Sequence, residues 1–400
     1  MKCVDLDTLR SDTPGCAQVV HLNHAGASLP PRPVLEAVIS HLRREAEIGG
    51  YEAAAEAGDA LESTYVALAD LIGSGADEIA VVENATRAWD MAFYGIPFGA
   101  GDRILTATAE YASNFIAYLQ MARRTGVTID VVPDDEHGQL DVDALREMMD
   151  GRVKLIAITH VPTSGGLVNP AEAVGQIARD AGCLYLLDAC QSVGQLPLSV
   201  NALGCDFLSA TGRKYLRGPR GTGFLYARRE ALERVEPPLL DLHAASWVSK
   251  GEYRLRGDAR RFENWETNVA TKIGLGVAAR YAISIGPEAI WERVATLGSA
   301  LRTRLEALPG VTVRDRGRVK CGIVTFTVEG KDPAWIQQQL RERRINVSVS
   351  VADYTRIDME ARRLTSMVRA SVHYYNSEAE LDLLASAVEA LSAETMNRTQ

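Results

Sequence analysis

The sequence has few cysteines, and they are not grouped. Six cysteines are spread over 400 residues without the paired spacing of a zinc site, so no metal site is predicted. Cys183 and Cys205 lie in apolar, strand-like surroundings, and we expect both to be small core residues. Scattered cysteines also fit a reducing cytoplasm, which is the location we expect.

Long apolar runs and an excess of positive charge are absent as well. No stretch approaches the roughly 20 apolar residues that a membrane span needs, and the opening residues, MKCVDLDTLRSD, contain no apolar signal core. The 43 basic and 52 acidic side chains give a net charge of -9, which argues against broad affinity for nucleic acid or anionic membranes. We therefore expect no nucleic-acid partner and no membrane partner, and a local basic cluster should serve a small anion.

Short β-branched runs alternate with helix-like stretches from about residue 79 to residue 230. Strands separated by helices of roughly 10–15 residues predict βαβ units and a mostly parallel sheet covered on both faces. Ligands bind such sheets at the carboxyl ends of the strands. The predicted strands are EIAVVEN, DRILTATAEY, VTIDVVP, KLIAITHV, CLYLLDA, DFLSA and GFLYAR.

A different pattern follows from about residue 271. Two long helices precede three strands (GIVTFTVEG, NVSVSV and SMVRASVHYY) and further helices, which predicts a smaller α+β domain. The predicted organisation is an N-terminal segment at 1–21, a large cofactor-binding domain at 22–270 and a small C-terminal domain at 271–400.

Cations and glycines are concentrated in one turn, SATGRKYLRGPRGTG, between two apolar runs. It could be a solvated basic turn, but a partly deprotonated lysine can also bond covalently to an aldehyde cofactor. Lys214 is the candidate for that bond, and the nearby Arg213 and Thr211 could bind a phosphate on the cofactor. Arg217 and Arg220 could stabilise the turn that leads into the next strand, or they could line the entrance to a substrate site. The sequence is compatible with both.

Asp188 ends the apolar strand CLYLLD, and its carboxylate is expected at the floor of a crevice. It could cap the next helix, or it could pair with a protonated ring nitrogen of a cofactor. Lys214 follows the next predicted strand, so both side chains are expected at one edge of the sheet. A lysine for the aldehyde carbon and a carboxylate for the ring nitrogen are what pyridoxal phosphate requires.

Three further strand ends carry polar or aromatic side chains. In ENATRAWD, Ala85 and Thr86 open a helix whose free amides favour a phosphate, although Asn84 could be a plain N-cap. THVPTSGG at 159–166 ends another strand with hydroxyls and glycines. Tyr111 follows DRILTATA and could stack on a planar ring or belong to the core.

Taken in order, these motifs resemble those of the class V aminotransferase family, the fold-type-I pyridoxal phosphate enzymes that include cysteine desulfurases and isopenicillin N epimerase-like proteins. The resemblance runs from LNHAGASLPP at 22–31 to VRASVHYYN at 368–376. It implies an α/β fold, with a mostly parallel seven-stranded sheet in the large domain and a smaller α+β C-terminal domain. It also implies pyridoxal 5'-phosphate as the cofactor.

The resemblance assigns cofactor roles by position. Lys214 matches the lysine that holds the cofactor covalently, and Asp188 matches the aspartate that faces its ring nitrogen. Gln191 and Thr163 match positions near its phenolic oxygen. Tyr111 stands at the ring-stacking position where desulfurases carry histidine, which argues for different chemistry, and we expect it to act in catalysis with the lysine and the aspartate. The phosphate positions are Ala85, Thr86, Thr211 and Arg213, the last of which is commonly histidine in relatives.

A second subunit and the substrate contacts are also implied. RFENWETN at 261–268 resembles the segment that lends a hydroxyl, here from Thr267, to the phosphate of a neighbouring subunit, so a homodimer with shared active sites is implied. Arg369 matches the arginine that binds the substrate α-carboxylate, although a structural arginine is the alternative. His24 and Ala25 fall in the N-terminal loop that borders the substrate in relatives.

One absence bears on the reaction. Desulfurases carry a nucleophilic cysteine on the loop before the carboxylate-binding arginine, but the corresponding stretch here, VSVSVADYTRIDMEARRLTSMVRAS, has none. A persulfide mechanism is therefore not expected. The NHAGAS opening and the REAEIGGYEAA segment resemble those of the cysteine-conjugate C–S lyases of ergothioneine and lincosamide pathways.

The resemblance thus implies a C–S β-lyase that cleaves an S-substituted L-cysteine conjugate to a thiol, pyruvate and ammonia, in the biosynthesis of a sulfur-containing natural product. Lys214 would remove the α-proton of the substrate. The same residues are compatible with an aminotransferase, an epimerase or a decarboxylating oxidative deaminase. A cofactor-binding regulator without activity is an alternative from another class, and the presence of the lysine argues against it.

Overall fold

The computed structural model describes residues 5–393, so the outermost ends of the predicted N-terminal segment and C-terminal domain lie outside the described residues. Four helices and one short strand precede the main sheet. Helix α2 follows Pro31 and has a proline in its first turn, where the missing N–H costs no hydrogen bond. The elements are α1 (Leu6–Ser11), β1 (Val20–His21), α2 (Arg32–Ile48), α3 (Gly50–Glu56) and α4 (Gly58–Ile72), with a 3₁₀ helix at Pro14–Ala17.

Seven strands form the central sheet. They are β2 (Ile79–Val82), β3 (Arg103–Ala107), β4 (Thr128–Val132), β5 (Val153–Thr159), β6 (Leu184–Asp188), β7 (Phe207–Thr211) and β8 (Gly223–Ala227). Their order in the sheet is β2, β8, β7, β6, β5, β3, β4, and β8 runs antiparallel to both of its neighbours while the other pairs are parallel. Strands β6, β7 and β8 are buried at every residue, as expected for strands covered on both faces. The predicted mostly parallel, seven-stranded sheet is confirmed.

The helices between these strands end on glycines or begin on side-chain caps. Gly126 and Gly182 end two of them in the left-handed conformation, which glycine adopts without strain. The helices are α5 (Ala85–Phe93), α6 (Ala112–Thr125), α7 (Val142–Met148), α8 (Ala171–Ala181) and α9 (Val200–Leu203), with 3₁₀ helices at Ala76–Glu78, Arg229–Arg234 and Ala259–Phe262. Cys183 and Cys205 are buried in the core next to this sheet, as predicted.

A hairpin that the sequence did not predict follows the sheet. It consists of β9 (Ala245–Ser249) and β10 (Glu252–Leu255). Most of its residues are exposed, and Trp247 is 75% exposed, so no buried face imposed an alternating pattern on the sequence. Among residues 5–393, no helix has both the length and the apolar character of a membrane span.

The C-terminal part contains a four-stranded antiparallel sheet with helices, which confirms the predicted α+β character. The sheet order is β11, β12, β15, β14. The elements are α10 (Val269–Ile285), α11 (Pro287–Glu306), β11 (Val311–Val313), β12 (Ile323–Val328), α12 (Pro333–Glu342), β13 (Ile345–Asn346), β14 (Ser348–Val351), a 3₁₀ helix at Ala352–Tyr354, α13 (Arg356–Ala361), β15 (Ser366–Ser371) and α14 (Glu378–Ala393).

A short strand of the N-terminal segment pairs with the C-terminal part of the chain. Strand β1 pairs in parallel with β13, with Val20 opposite Ile345, so the N-terminal segment is joined to the C-terminal sheet. Helix α10 begins at Val269, next to the predicted domain boundary at residue 270, and packs against α2 and α4. The boundary itself stays a prediction.

Two predicted strands end earlier than expected. The strand predicted as DRILTATAEY ends at Ala107, and beyond that end Glu110 accepts a hydrogen bond from the backbone N–H of Tyr111. The strand predicted as SMVRASVHYY ends at Ser371, and beyond it Asn376 accepts a hydrogen bond from the N–H of His373. In both cases a side chain, rather than a neighbouring strand, pairs with a backbone N–H beyond the strand.

Candidate active site

A cavity of about 450 Å³ lies at the carboxyl ends of the central strands, where the topology predicts a ligand site. Nine of the ten residues predicted to bind the cofactor line it. The lining residues are Asn84, Ala85, Thr86, Tyr111, Thr159, Val161, Thr163, Asp188, Cys190, Gln191, Thr211, Arg213, Lys214 and Gly221.

The start of α5 forms one end of the cavity. Asn84 caps the helix by accepting a hydrogen bond from the N–H of Arg87, while Ala85 and Thr86 face the cavity with the first turn. A side-chain carbon at Gly223 would lie 2.7 Å from the carbonyl carbon of Asn84, so only glycine lets β8 approach this turn. Free amides and the helix dipole make this end suitable for a phosphate.

Lys214 lies on the wall of the same cavity, just past the end of β7. It keeps partial exposure because it faces the cavity, yet protein surrounds it, and this burial lowers the pKa of its ammonium group. The positive charge of Arg213 acts in the same direction. Among residues 5–393, no side chain forms an ion pair with Lys214. A lysine in this state is a competent nucleophile and proton acceptor.

Asp188 ends β6 and is 5% exposed. Its Oδ1 accepts a hydrogen bond from the N–H of Cys190 at 2.9 Å, and its Oδ2 accepts one from Nδ2 of Asn114 at 3.1 Å. Both carboxylate oxygens are therefore held in fixed positions at the cavity wall.

Two residues behind Asp188 were missed in the sequence. Glu110 is 3% exposed, and burial raises the pKa of its carboxyl group to about 7. Asn114 is also buried and donates to both carboxylates. The signal in EYASN is a pair of polar side chains, one just before the helix and one in its first turn, which follow a buried strand.

Gln191 and Thr163 form a polar group on another wall, and Arg369, which is outside the cavity lining, bonds to Thr163. Nε2 of Gln191 donates to Oγ1 of Thr163 at 3.3 Å and to the carbonyl oxygen of Ala25 at 3.1 Å. Nη1 of Arg369 donates to Oγ1 of Thr163 at 2.7 Å, and burial lowers the pKa of this arginine to about 10. Oε1 of Gln191 and Nε of Arg369 are buried and have no partner among the described residues. Unpaired buried polar atoms are costly unless a ligand satisfies them.

Comparison with known proteins identifies the family. The family model described as Aminotransferase class-V matches residues 20–384. The chain belongs to this family. The resemblance inferred from the motifs is confirmed, and the cofactor is pyridoxal 5'-phosphate.

Individual relatives are similar along nearly the whole chain. A probable cysteine desulfurase 2 of Mycobacterium leprae is 32% identical, with 96% of each chain covered. The apo structure of a cysteine desulfurase from Thermococcus onnurineus NA1 is 29% identical, covers 96% of this chain and 98% of its own, and has a TM-score of 0.90. A complex between the cystine C–S lyase C-DES and its reaction product cysteine persulfide is 24% identical, covers 94% and 99%, and has a TM-score of 0.84. At that identity the likeness to C-DES shows the fold alone.

The residues at the cavity fit the class V cofactor. A helix start approached by Gly223 suits its phosphate, and Lys214 is positioned on the wall for its aldehyde carbon. Asp188 offers an anion for its ring nitrogen. The unpaired Oε1 of Gln191 is a buried polar atom that the chain itself leaves open to a ligand.

The N-terminal loop contributes differently from the prediction. The His24 ring is fully buried outside the cavity lining, where it bonds to Asn376 at 3.0 Å and to Ser28 at 3.2 Å. Burial lowers the pKa of His24 well below its ordinary value. Ala25 bonds to Gln191 through its carbonyl oxygen. This placement favours a role for His24 in bracing the loop, while Ala25 supports a cavity residue.

The structure places Thr267, Arg217 and Arg220 outside the cavity lining. Thr267 is exposed and lies outside the cavity lining of its own chain. Arg217 is 1% exposed, has a φ of 62° and donates to the carbonyl oxygen of Leu29 at 2.9 Å. Of the two alternatives for Arg217, shaping the turn is the one that the structure supports. Arg220 is exposed at the turn.

Proposed function

We propose that the chain is a pyridoxal-phosphate-dependent C–S β-lyase that cleaves an S-substituted L-cysteine to a thiol, pyruvate and ammonia. The observation that carries the proposal is the absence of a cysteine from residues 347–371, which include the 3₁₀ helix, α13 and Arg369. A desulfurase-like reaction needs a mobile nucleophilic thiol at that place. Without one, sulfur can leave with its substituent by elimination.

The cysteines near the cavity do not supply that thiol. Cys321 is fully buried, and burial raises the pKa of its thiol to about 12. Cys190 lines the cavity, but its backbone is tied to Asp188, and burial raises the pKa of its thiol well above the ordinary value. A protonated thiol is a poor nucleophile.

Each cavity residue has a separate role in the proposed reaction. Bound pyridoxal phosphate supplies an electron sink for the α-carbon of an amino acid. Lys214 takes the α-proton, Asp188 holds a proton on the ring nitrogen and Tyr111 packs on the ring. Arg369 binds the α-carboxylate through the donors that Thr163 leaves free. The proposed phosphate contacts are Ala85, Thr86, Thr211 and Arg213, and the proposed contacts to the phenolic oxygen are Gln191 and Thr163.

The fold is compatible with C–S cleavage, because the fold neighbour C-DES is a cystine C–S lyase. The resemblance of the NHAGAS loop to cysteine-conjugate lyases supports the further proposal of a role in the biosynthesis of a sulfur-containing natural product. The cytoplasmic location stays a prediction.

A homodimer is proposed together with this activity. Thr267 is exposed and outside the cavity lining of its own chain, and Trp265 in the same segment is 60% exposed. A large exposed aromatic side chain is typical of interaction surfaces. We expect light scattering to give twice the monomer mass, and Thr267→Ala to weaken cofactor retention without changing that mass. A monomer that retains the cofactor fully would contradict shared active sites.

The decisive experiment measures pyruvate and thiol released from a series of S-alkyl and S-aryl L-cysteines and from cystine, with no keto acid added. Release of both products in equal amounts supports the lyase. Turnover only when a keto acid is supplied would indicate an aminotransferase, loss of optical activity without pyruvate an epimerase, and oxygen consumption with release of carbon dioxide a decarboxylating deaminase. Lys214→Ala is the control for release that does not depend on the site.

A further inference from the structure

Glu110 is a buried carboxylate whose hydrogen-bond partners are all neutral. Its Oε1 accepts hydrogen bonds from the N–H of Tyr111 at 2.7 Å and from Oγ1 of Thr159 at 2.5 Å. Its Oε2 accepts one from Oγ1 of Thr106 at 3.0 Å. Within residues 5–393, no lysine, arginine or histidine forms an ion pair with it. So many donors around one carboxylate favour its ionised form, whereas burial opposes it.

Asn114 connects this carboxylate to the cavity. Its Nδ2 donates to Oε1 of Glu110 at 2.9 Å and to Oδ2 of Asp188 at 3.1 Å. An amide nitrogen carries two hydrogens, so it can serve both acceptors at once. The orientation of Asp188 is therefore coupled, through a single side chain, to a second carboxylate behind it.

Two buried carboxylates in series are unfavourable when the protein supplies no cation to the inner one. Besides burial, the negative charge of Asp188 raises the pKa of Glu110. The cost is reduced when a positive group binds on the open side of Asp188, which is where the cavity lies. The arrangement is thus suited to a ligand that brings a cation, and a protonated pyridine ring is such a ligand.

We propose that Glu110 and Asn114 are positioning residues for the cofactor's ring nitrogen. Asn114 fixes Oδ2 of Asp188 toward the cavity. A protonated ring next to Asp188 favours the ionised form of Glu110, which then adds a second negative charge that stabilises the proton on the ring nitrogen. The inference rests on the proposed contact between Asp188 and that nitrogen, and it does not depend on which reaction the enzyme performs.

The test compares the affinities of the apoenzyme for two ligands, pyridoxal phosphate and its carbocyclic analogue in which a C–H group replaces the ring nitrogen. The ratio of the two Kd values measures the interaction at the ring nitrogen alone. Glu110→Gln keeps the shape of the side chain and removes its charge, and it is expected to lower the preference for pyridoxal phosphate by about tenfold, equivalent to about one pKa unit of the ring nitrogen. Asn114→Ala is expected to lower it as well, and Asp188→Ala to abolish it. An unchanged ratio in Glu110→Gln, with either equal weakening of both ligands or no weakening, would overturn the proposal.

Asp206→Asn provides a matched control. Asp206 is also a largely buried carboxylate, but it accepts a hydrogen bond from the N–H of Tyr185 at the opposite edge of the same sheet. This variant should change stability and leave the ligand ratio as it is in the unmodified enzyme. If Asn114→Ala does not fold, Glu110→Gln alone decides the question.

A second readout does not use affinity. The ¹⁵N chemical shift of the ring nitrogen in bound, labelled pyridoxal phosphate reports whether that nitrogen carries a proton. We expect Glu110→Gln to move the shift toward that of the unprotonated ring, and an identical shift in variant and parent would count against the proposal. A failure of the lyase assay leaves both readouts intact, so the two proposals can fail separately.

Discussion

Lys272 and Lys214 are both lysines enclosed by protein, but only one has an anionic partner. Nζ of Lys272 lies 3.0 Å from Oε2 of Glu263 and also donates to the hydroxyl of Tyr65. In the described part of the chain, Lys214 has no ion-pair partner and faces the cavity. A lysine paired by the protein is a structural cation, whereas one left unpaired is available for chemistry.

Two buried arginines repeat the contrast. Arg217 donates from all three of its nitrogen atoms: to Leu29, to the hydroxyl of Tyr374 at 2.7 Å and to Oγ1 of Thr13 at 2.5 Å. Arg369 donates only from Nη1, to Thr163, and its Nε has no partner among residues 5–393. Burial alone therefore does not distinguish a structural arginine from one available to a ligand, and the difference between these two arginines lies in how many of their nitrogen atoms the protein already bonds.

The largest difference in cofactor binding and activity is expected between variants of the two lysines. Lys214→Ala should lose the absorbance band near about 420 nm of the lysine-bound cofactor and at least about 10³-fold in kcat. Lys272→Met should keep the band but lose about 3 kcal/mol of unfolding free energy, because it removes the lysine charge from the buried carboxylate of Glu263. Absorbance spectra and urea unfolding curves measure both effects. Loss of the band in both variants, with both proteins folded, would remove the distinction.

Substitutions of the two arginines should also affect activity in one case and stability in the other, with a smaller loss of activity than for Lys214→Ala. Arg369→Gln is expected to lower kcat/KM for an S-alkyl cysteine by about 10²-fold, because a bidentate contact to the carboxylate is lost. Arg217→Met is expected to lower the unfolding free energy by about 3 kcal/mol and to change KM less than Arg369→Gln does. Steady-state kinetics and chemical unfolding of the two variants test this pair. If Arg369→Gln destabilises the protein as Arg217→Met does while KM is preserved, the structural alternative for Arg369 holds.

The buried carboxyl group of Glu110 predicts a dependence of protein stability on pH. Burial raises the pKa of Glu110 from its ordinary 4.5 to about 7, so the folded apoprotein retains a proton there that the unfolded chain releases. The stability of the apoprotein should therefore fall as the pH rises through this interval, by up to about 3 kcal/mol from this group. Glu110→Gln should remove that slope in urea unfolding between about pH 5 and about pH 7.5. A slope that survives the substitution would show that another group causes it.

The smallest effect is expected at Tyr111. Tyr111→Phe keeps the ring and should change cofactor affinity little, while Tyr111→Ala should weaken it by about tenfold through the lost stacking contact. Equilibrium dialysis of the cofactor separates these outcomes. A large loss in Tyr111→Phe would assign the hydroxyl, rather than the ring, a role in the site.

Much of the sheet and of the cavity could be predicted from the sequence. Strands β6, β7 and β8 are buried on both faces and therefore read as unbroken apolar runs, so their ends were located within a residue or two. Because the carboxyl ends of parallel strands meet at one edge, the sequence alone suffices to place Asp188 and Lys214 together. Exposed elements such as the hairpin carry no such pattern and were missed.

The amino-acid sequence by itself determined which side chains follow buried strands, because a buried strand appears in the sequence as a local run of apolar residues. Tertiary structure decided which polar groups are satisfied. The hydrogen bond between Asn114 and Asp188 joins residues that are 74 positions apart in the sequence. The bonds between Arg217 and Thr13 and between His24 and Asn376 join residues that are 204 and 352 positions apart. No local pattern encodes partners at such separations, since only folding brings them within the short reach of a hydrogen bond. A lysine, an arginine or a histidine can therefore have a structural or a reactive role, and its partners in the folded protein determine which.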